Sequence, residues 1–384
     1  MRAEVLGASR SGSGWLAGLA RLALVVALVV PPTRRWFFEA RLVWLYLVLV
    51  ASAVALLAVP LVRAAAVALG VLDQPSARKV HGRPTPLLGG AAVYLAFAVT
   101  VLANFNFSLA LKGVALGASI VVAVGLLDDL VALPPWVRLL AQATGAAVAM
   151  TYGVWLAVVP DRVPLAAALN LALTLLWFVT VTNAVQFLDG MDGLAAGLGA
   201  IAGLFFSLAA LRTGQPYLMF LAAALVGACL GFLPYNFRPG GASIFLGDGG
   251  ASFIGFTLAG LAVMGEWSEH DPVVALLTPT LILAVPLFDI LFVSVARVVQ
   301  GKVRTLAEWL AYTGRDHIHH RFEALGLGRA QSVLLIYFIA ATLGLSAMVL
   351  SEARPGEAWL VLVQAGCVLT IVAILEAVGR ARTG

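Results

Sequence analysis

Long apolar segments, separated by short polar stretches, follow one another along most of the chain. A helix needs about 20 predominantly apolar residues to cross a bilayer, so each such segment predicts one transmembrane helix. We predict about eleven spans, at residues 42–69, 87–104, 108–127, 136–150, 165–184, 193–211, 216–235, 249–265, 272–296, 332–350 and 358–378. The pattern therefore predicts an all-α fold, a polytopic bundle of membrane-spanning helices.

The first forty residues differ from the rest of the chain. Their apolar run, from Trp15 to Val30, is short and is interrupted by Arg21. It also lacks a clear small-residue site at which a signal peptide would be cut. We predict that residues 1–40 form an N-terminal extension, interfacial or loosely inserted, and that residues 41–380 form one integral membrane domain.

Composition excludes an ordinary soluble protein. The 384-residue chain is 62% hydrophobic and 11% charged, and its mean hydropathy is +1.00. Soluble domains average about 45–50% apolar and about 25% charged residues. The net charge of +5 does not indicate a nucleic-acid binder, because the basic residues punctuate apolar helices and form no basic face. Cys229 and Cys367 lie in apolar runs, without the spacing of a zinc site or a disulfide framework.

The distribution of lysine and arginine predicts the orientation in the membrane, because these residues collect in cytoplasmic loops. With the loop after the first span in the cytoplasm, about 14 of the 24 basic residues are cytoplasmic and about four are external. The external ones are Lys112, Arg162, Arg212 and Arg354. Every dense polar motif then lies on the cytoplasmic side, which predicts an enzyme or transporter whose site opens to the cytoplasm.

Two acidic pairs at predicted helix ends are candidate site residues. Asp128 and Asp129 end the third span, where adjacent like charges repel and the helix dipole disfavours both. Arg138 opens the next span and would neutralise this pair or contact a phosphate. Asp189 and Asp192, in NAVQFLDGMDGLA, would share a face if they were helical. Acidic side chains at bilayer depth are costly, which favours a site. The alternative for the second pair is a solvated loop between helices.

A third acidic position lies in the glycine-rich sequence FLGDGG, where Asp248 precedes a predicted span. Mg²⁺ typically takes one or two protein carboxylates together with substrate phosphates, so one aspartate in such a turn is sufficient. The alternative is a glycine-rich turn that serves helix packing. Asp289 lies within a predicted span, after the kink position Pro286, and either lines a cavity or pairs with Arg297.

Two basic motifs are candidates for phosphate contacts. The first loop, DQPSARKVHGRPTPLLGG, carries Arg78 and Lys79, which either hold phosphates or only mark the cytoplasmic side. The motif RDHIHHRF carries His317, His319 and His320. These histidines lack the i, i+4 spacing of a helical zinc pair, so contacts with phosphate or nucleotide are favoured and zinc is the alternative.

Five motifs in order resemble those of the polyprenyl-phosphate N-acetylhexosamine-1-phosphate transferases: RKVHGRPTP with a following Gly-Gly, the Asp-Asp pair, NAVQFLDGMDGLA, FLGDGG and HIHH. The resemblance covers about residues 41–380. HIHH looks more like the undecaprenyl-phosphate N-acetylglucosamine-1-phosphate branch than the phospho-N-acetylmuramoyl-pentapeptide branch, whose equivalent stretch is usually three successive histidines.

The resemblance implies a reaction. In such enzymes the phosphate of a polyprenyl phosphate, such as undecaprenyl phosphate, attacks the sugar-linked phosphorus of a UDP-sugar. The products are a lipid diphosphate sugar and UMP, and the reaction initiates cell-envelope glycan synthesis. It also implies a multi-pass protein of the inner (plasma) membrane with its active site facing the cytoplasm, and it is compatible with a homodimer.

The resemblance further implies roles for individual residues. Asp248 would bind Mg²⁺, for which Mn²⁺ is an alternative, with Gln186 as a second ligand. Asp128 and Asp129 would deprotonate or orient the lipid phosphate, and Asp192 and His317 are further catalytic candidates. The substrates, UDP-sugar and lipid phosphate, would be contacted by Arg78, Lys79, Arg138, Asn183, Asp189, Asp192, His319 and His320.

Three positions depart from the family pattern. Gln186 stands where most relatives have Asn, and Ala251 stands where the family usually has Ser, with Ser252 following it. Ala132 occupies a position that is a third Asp in some relatives. Two other hypotheses are a non-catalytic relative and a transporter with a buried carboxylate proton relay. A transporter should have repeated halves with interrupted segments in corresponding positions, and the sequence has no such symmetry.

Overall fold

The computed structural model describes residues 12–75, 83–104, 108–268, 271–305, 308–309, 312, 314, 316–353 and 357–381. Within them the chain is predominantly helical. The helices are α1 (Gly12–Val29), α2 (Pro31–Glu39), α3 (Val43–Leu69), α4 (Gly89–Asn104), α5 (Leu109–Val131), α6 (Pro135–Thr151), α7 (Ala166–Leu188), α8 (Leu194–Arg212), α9 (Pro216–Asn236), α10 (Gly247–Met264), α11 (Pro272–Ile282), α12 (Ala284–Val299), α13 (Ile318–Ala324), α14 (Arg329–Leu350) and α15 (Ala358–Ala381). Two short strands, β1 (Leu72–Asp73) and β2 (Thr85–Pro86), pair antiparallel.

The predicted all-α membrane fold is confirmed, but the predicted number of spans is not. Eight helices are long and apolar enough to cross a membrane, namely α3, α5, α7, α8, α9, α10, α14 and α15. Two bent pairs, α1 with α2 (56°) and α11 with α12 (85°), bring the number to as many as 10 if each pair counts as one span. The predicted spans at residues 87–104 and 136–150 correspond to α4 and α6, which have only 16 and 17 residues.

The N-terminal extension contains helical structure in its described part. Helix α1 packs against α3, and the Arg21 guanidinium lies over the ring of Tyr235, 5.7 Å from its centroid. The chain bends by 56° before α2, whose Phe37 is buried while Trp36 is exposed. Whether these residues are interfacial or loosely inserted stays a prediction.

Glycines bring the start of α10 into backbone contact with two neighbouring helices. Gly89 and Gly90, at the start of α4, donate their N–H groups to the carbonyl oxygens of Phe245 (2.9 Å) and Leu246 (2.7 Å). A Cβ added to Gly90 would collide with the backbone of Gly250. On the other side, a Cβ at Gly125 of α5 would collide with Gly249. The Gly-Gly pair of the first motif therefore helps to hold the FLGDGG segment in place.

Five helix ends meet at one end of the bundle. They are the carboxyl ends of α5 and α7, the amino ends of α6 and α10, and the short helix α13. Helix α13 packs on α15, where a Cβ added to Gly379 would collide with the carbonyl oxygen of Arg321. Most of the residues singled out from the sequence are carried by these five elements.

Candidate active site

Arg138 lies between two carboxylates at the start of α6. Helix α6 begins with Pro135, whose fixed φ suits a first helical turn. One turn later, Arg138 Nη1 lies 3.1 Å from Asp128 Oδ2 and 3.5 Å from Asp248 Oδ2. Asp128 is buried, and its other carboxylate oxygen accepts the N–H of Leu133. Arg138 thus joins Asp128 to Asp248, a carboxylate that lies 110 residues after Arg138 in the sequence.

Asp129 holds the amino terminus of α10. Its Oδ1 accepts the backbone N–H of Asp248 at 2.8 Å, and its Oδ2 accepts that of Gly249 at 3.2 Å. The first N–H groups of a helix have no partner within the helix, and a carboxylate there also interacts favourably with the helix dipole. Asp129 therefore fixes the backbone that carries Asp248, which lies in the first turn of α10 and not in a turn before it.

Gln186 reaches the same carboxylate from α7. Its Nε2 donates to Asp248 Oδ1 at 2.5 Å, so the side chain that is longer than the family's usual Asn spans the gap. Asn183, nearly one turn earlier, donates to Gln142 Oε1 and to the Val179 carbonyl oxygen, both at 2.7 Å. Asn183 therefore ties α7 to α6, and its described hydrogen bonds do not reach the carboxylate cluster.

The turn between α7 and α8 carries Asp189 and Asp192. Because α7 ends at Leu188, the two aspartates do not share a helix face, contrary to the arrangement considered from their spacing. Burial raises the pKa of Asp189 well above its usual value, and the nearby carboxylates of Asp248, Asp129 and Asp192 raise it further. The site thus brings together more carboxyl groups than Arg138 alone pairs with, and the raised pKa favours the protonated form of Asp189.

Asn236 is a site-building residue that the sequence interpretation missed. This buried side chain, at the end of α9, accepts the N–H of Gly193 at 2.7 Å and donates to the carbonyl oxygen of Ile244 at 3.0 Å. Beside it, Asp192 Oδ2 accepts the N–H of Ala242 at 2.8 Å. The two side chains join the 189–193 turn to the FLGDGG segment. The signal in the sequence was an amide residue directly after a long apolar run.

His319 lies against the same turn, and the rings of His317 and His320 lie next to it. A Cβ on Gly190 would collide with the His319 ring, and the rings of His317 and Phe187 are 5.6 Å apart between centroids. His319 is buried, and burial followed by the neighbouring His320 and His317 lowers its pKa well below the usual value. The His319 ring is therefore neutral at physiological pH.

Asp289 and Arg297 do not pair with each other, contrary to one of the two roles considered from the sequence. The completely buried Asp289 accepts from His317, with Oδ2 2.7 Å from Nδ1. Arg297 instead makes a bidentate pair with Asp316, at 2.8 and 2.7 Å. His320 lies 3.5 Å from Glu323.

A groove next to Asp248 has one apolar and one polar side. It lies between α5, α6, α7 and α10 and is open to solvent. Its lining consists of Val121, Val124, Gly125, Arg138, Ala141, Gln142, Gln186 and Ser252. Ser252 lines the groove, although the family usually has its serine one position earlier, where this chain has Ala251. The Ser252 hydroxyl donates to the carbonyl oxygen of Asp248.

The structure brings most of the predicted site residues together. Direct hydrogen bonds or ion pairs link five of them, namely Asp128, Asp129, Arg138, Gln186 and Asp248. The 189–193 turn and the three histidines form an adjoining wall. Arg78 and Lys79 lie outside the described residues. The chemical roles of all these residues stay predictions.

Together, the fold and the site are those of a multi-pass membrane enzyme. Residues 111–266 match the model of glycosyl transferase family 4. The chain is 34% identical over 316 residues to a probable undecaprenyl-phosphate N-acetylglucosaminyl 1-phosphate transferase of Bacillus subtilis, covering 80% of this chain and 86% of the relative. It is 32% identical over 357 residues to a decaprenyl-phosphate N-acetylglucosaminephosphotransferase of Mycolicibacterium smegmatis, covering 84% and 86%.

The chain belongs to glycosyl transferase family 4, which confirms the resemblance carried by the five motifs. A phospho-N-acetylmuramoyl-pentapeptide-transferase of Moorella thermoacetica is 35% identical over 192 residues, 49% of this chain and 52% of that protein. The more extensive matches to relatives named for N-acetylglucosamine agree with the branch indicated by HIHH. Nothing in the fold or in the relatives favours the transporter hypothesis.

Proposed function

We propose that the protein transfers N-acetylglucosamine 1-phosphate from UDP-N-acetylglucosamine to a polyprenyl phosphate at the cytoplasmic face of the inner membrane. The observation that carries this proposal is the cluster at one end of the bundle in which Arg138 lies between Asp128 and Asp248, while Asp129 holds the backbone of Asp248. In the reaction, an oxygen of the lipid phosphate forms a bond to the sugar-linked phosphorus. The bond from that phosphorus to the bridging oxygen breaks, and UMP leaves with this oxygen.

The groove suits the lipid substrate. Val121, Val124 and Ala141 provide apolar contacts for a prenyl chain, and Arg138 provides a permanent positive charge for its phosphate. Asp128 orients the guanidinium, whose side chain remains 31% exposed. A lipid phosphate held there lies beside the carboxylates assigned to its orientation or deprotonation. Phosphoryl transfer depends mainly on such positioning and on charge neutralisation.

The wall formed by the 189–193 turn and the three histidines suits the nucleotide substrate. Gly190 leaves the backbone accessible at the turn, and Asp189 and Asp192 provide acceptors for hydroxyl and N–H groups. His320 is only partly buried and provides a ring N–H for a phosphate oxygen.

We propose Mg²⁺ as the cofactor, with Mn²⁺ as the alternative, held by Asp248 and Gln186. The donor set fits: the Asp248 carboxylate is 41% exposed, and it lies next to a side-chain amide and near further carboxyl groups. Within the described residues, no three acidic, histidine or cysteine side chains are grouped to hold a metal ion. Mg²⁺ typically needs only one or two protein ligands. When bound, it would neutralise charge on the transferring phosphate.

The proposed reaction is tested by incubating the purified protein with polyprenyl phosphate, Mg²⁺ and a panel of labelled UDP-sugars. We expect UMP release with UDP-N-acetylglucosamine, together with a lipid diphosphate sugar of the corresponding mass. The panel includes UDP-N-acetylgalactosamine, UDP-glucose and UDP-N-acetylmuramoyl-pentapeptide, for which we expect slower release. Absence of UMP with every donor would refute the proposed function. Assembly as a homodimer stays an untested prediction.

The metal role of Gln186 predicts a change in Mg²⁺ dependence. Gln186→Leu removes the amide beside Asp248. We expect the Mg²⁺ concentration for half-maximal activity to rise about 10-fold, because loss of a group that supports a metal site weakens metal binding by at least about this factor. Gln186→Asn serves as the matched variant that keeps an amide. An unchanged Mg²⁺ dependence in Gln186→Leu, with a lower kcat, would assign Gln186 to orienting Asp248 only.

A further inference from the structure

A network of four buried side chains joins α12 to the start of α13. Its members are Asp289, Arg297, Asp316 and His317, none of them more than 8% exposed. Asp289 uses both carboxylate oxygens: Oδ2 lies 2.7 Å from His317 Nδ1, and Oδ1 accepts the N–H of Ile318 at 2.7 Å. The other ring nitrogen, His317 Nε2, lies 3.5 Å from Arg297 Nη2. Both nitrogens of His317 therefore face protein groups.

The chemistry of these partners selects one form of the imidazole. An ionised carboxylate only accepts hydrogen bonds, and a guanidinium only donates them. A proton on His317 Nδ1 therefore satisfies Asp289, and a lone pair on Nε2 faces Arg297. The other neutral tautomer would place a lone pair against the carboxylate and an N–H against the guanidinium. A doubly protonated ring would also direct its Nε2–H at Arg297.

The position of this network links it to the nucleotide wall. The His317 ring lies 5.6 Å from the Phe187 ring and stacks nearly parallel to the His319 ring, at 6.2 Å between centroids. His319 in turn contacts Gly190 of the 189–193 turn. Through the Ile318 N–H, the same carboxylate also fixes the first turn of α13. A displacement of His317 would therefore be passed to His319, which faces this turn.

We propose that Asp289 is a positioning residue: it holds His317 as the Nδ1–H tautomer and thereby sets His319 against the 189–193 turn. His317 then orients its neighbours and does not itself transfer a proton. The consequence for catalysis rests on the proposed function, which assigns this wall to the UDP-sugar. The tautomer itself does not depend on that assignment.

The test combines ¹⁵N nuclear magnetic resonance of histidine-labelled protein with steady-state kinetics. The signals of His317 are assigned by their loss in His317→Gln, since the chain has only 5 histidines. We expect the wild-type protein to carry the proton on Nδ1. In Asp289→Asn the amide still accepts from Ile318 but presents an N–H to the ring, so the proton should move to Nε2. The KM for the UDP-sugar should rise about 10-fold to 100-fold, as when the partner of an oriented histidine is lost.

The KM for polyprenyl phosphate should stay unchanged, since the lipid groove is formed by other helices. Asp271→Asn, a substitution of the same kind at the cap of α11, should alter neither the His317 signals nor the kinetics. If Asp289→Asn does not fold, Asp289→Glu keeps the carboxylate and should retain the tautomer. A wild-type proton on Nε2, or an unchanged UDP-sugar KM despite a changed tautomer, would overturn the proposal. Failure of every donor in the wild-type assay would refute the proposed function, while the spectra would still decide the tautomer.

Discussion

Replacing Asp248 by alanine should abolish turnover, lowering kcat by at least about 1,000-fold, while the protein remains folded in the membrane. The side chain is the point at which Arg138, Gln186 and the backbone held by Asp129 converge. It is also partly exposed, as expected for a group that contacts substrate or metal. Loss of a single preorganised electrostatic contact typically costs about 100-fold to 1,000-fold in kcat, and Asp248 would provide more than one.

The measurement is UMP release by the purified variant, accompanied by its thermal unfolding temperature and its elution as a single species. Asp161→Ala is the matched control, because Asp161 is exposed in the connection between α6 and α7, at the other end of these helices. The control should be fully active. Turnover near the wild-type rate in Asp248→Ala would eliminate Asp248 as a metal ligand.

Replacing Asp129 by alanine should affect both activity and stability. The variant loses the acceptor for two N–H groups at the start of α10. Loss of a helix cap costs about 0.5–2 kcal/mol of stability, so the unfolding temperature should fall. Because Asp248 lies on the released turn, kcat should also fall, by about 100-fold if one preorganised contact is lost.

Asp128→Ala provides the comparison, since Asp128 pairs with Arg138 and does not hold α10. We expect this variant to lose activity with a smaller change in unfolding temperature. Both quantities are measured in the same detergent, by UMP release and by thermal unfolding. Equal unfolding temperatures for Asp129→Ala and the wild-type protein would contradict the role of Asp129 at the helix terminus.

The fold class could be predicted from the sequence because apolar periodicity and length determine it directly. The number of spans could not. The segment at residues 272–296 appeared as one span, yet it bends by 85° between Ile282 and Ala284. Hydropathy measures how apolar a segment is and contains no information on the direction of its axis. Proline positions such as Pro279 and Pro286 suggest a kink but do not give its angle.

The motifs located the candidate site in the sequence. They did not predict which side chains pair with each other. The order of motifs placed Asp248, Gln186 and the histidines among the site residues. Such pairings depend on how separate helices pack. Asp289 pairs with His317, 28 residues away, and Gly193 pairs with Asn236, 43 residues away. One sequence without its three-dimensional arrangement offers several acidic partners for each basic group. For Asp289 the sequence therefore left two roles open, and the observed pairing with His317 was not among them.

The glycine contacts around α10 have a consequence for how the enzyme can diversify. Gly90, Gly125, Gly249 and Gly250 already touch backbone to backbone, so even one added methyl group at these positions has no space. Directed evolution toward new donor sugars should therefore yield few accepted substitutions there.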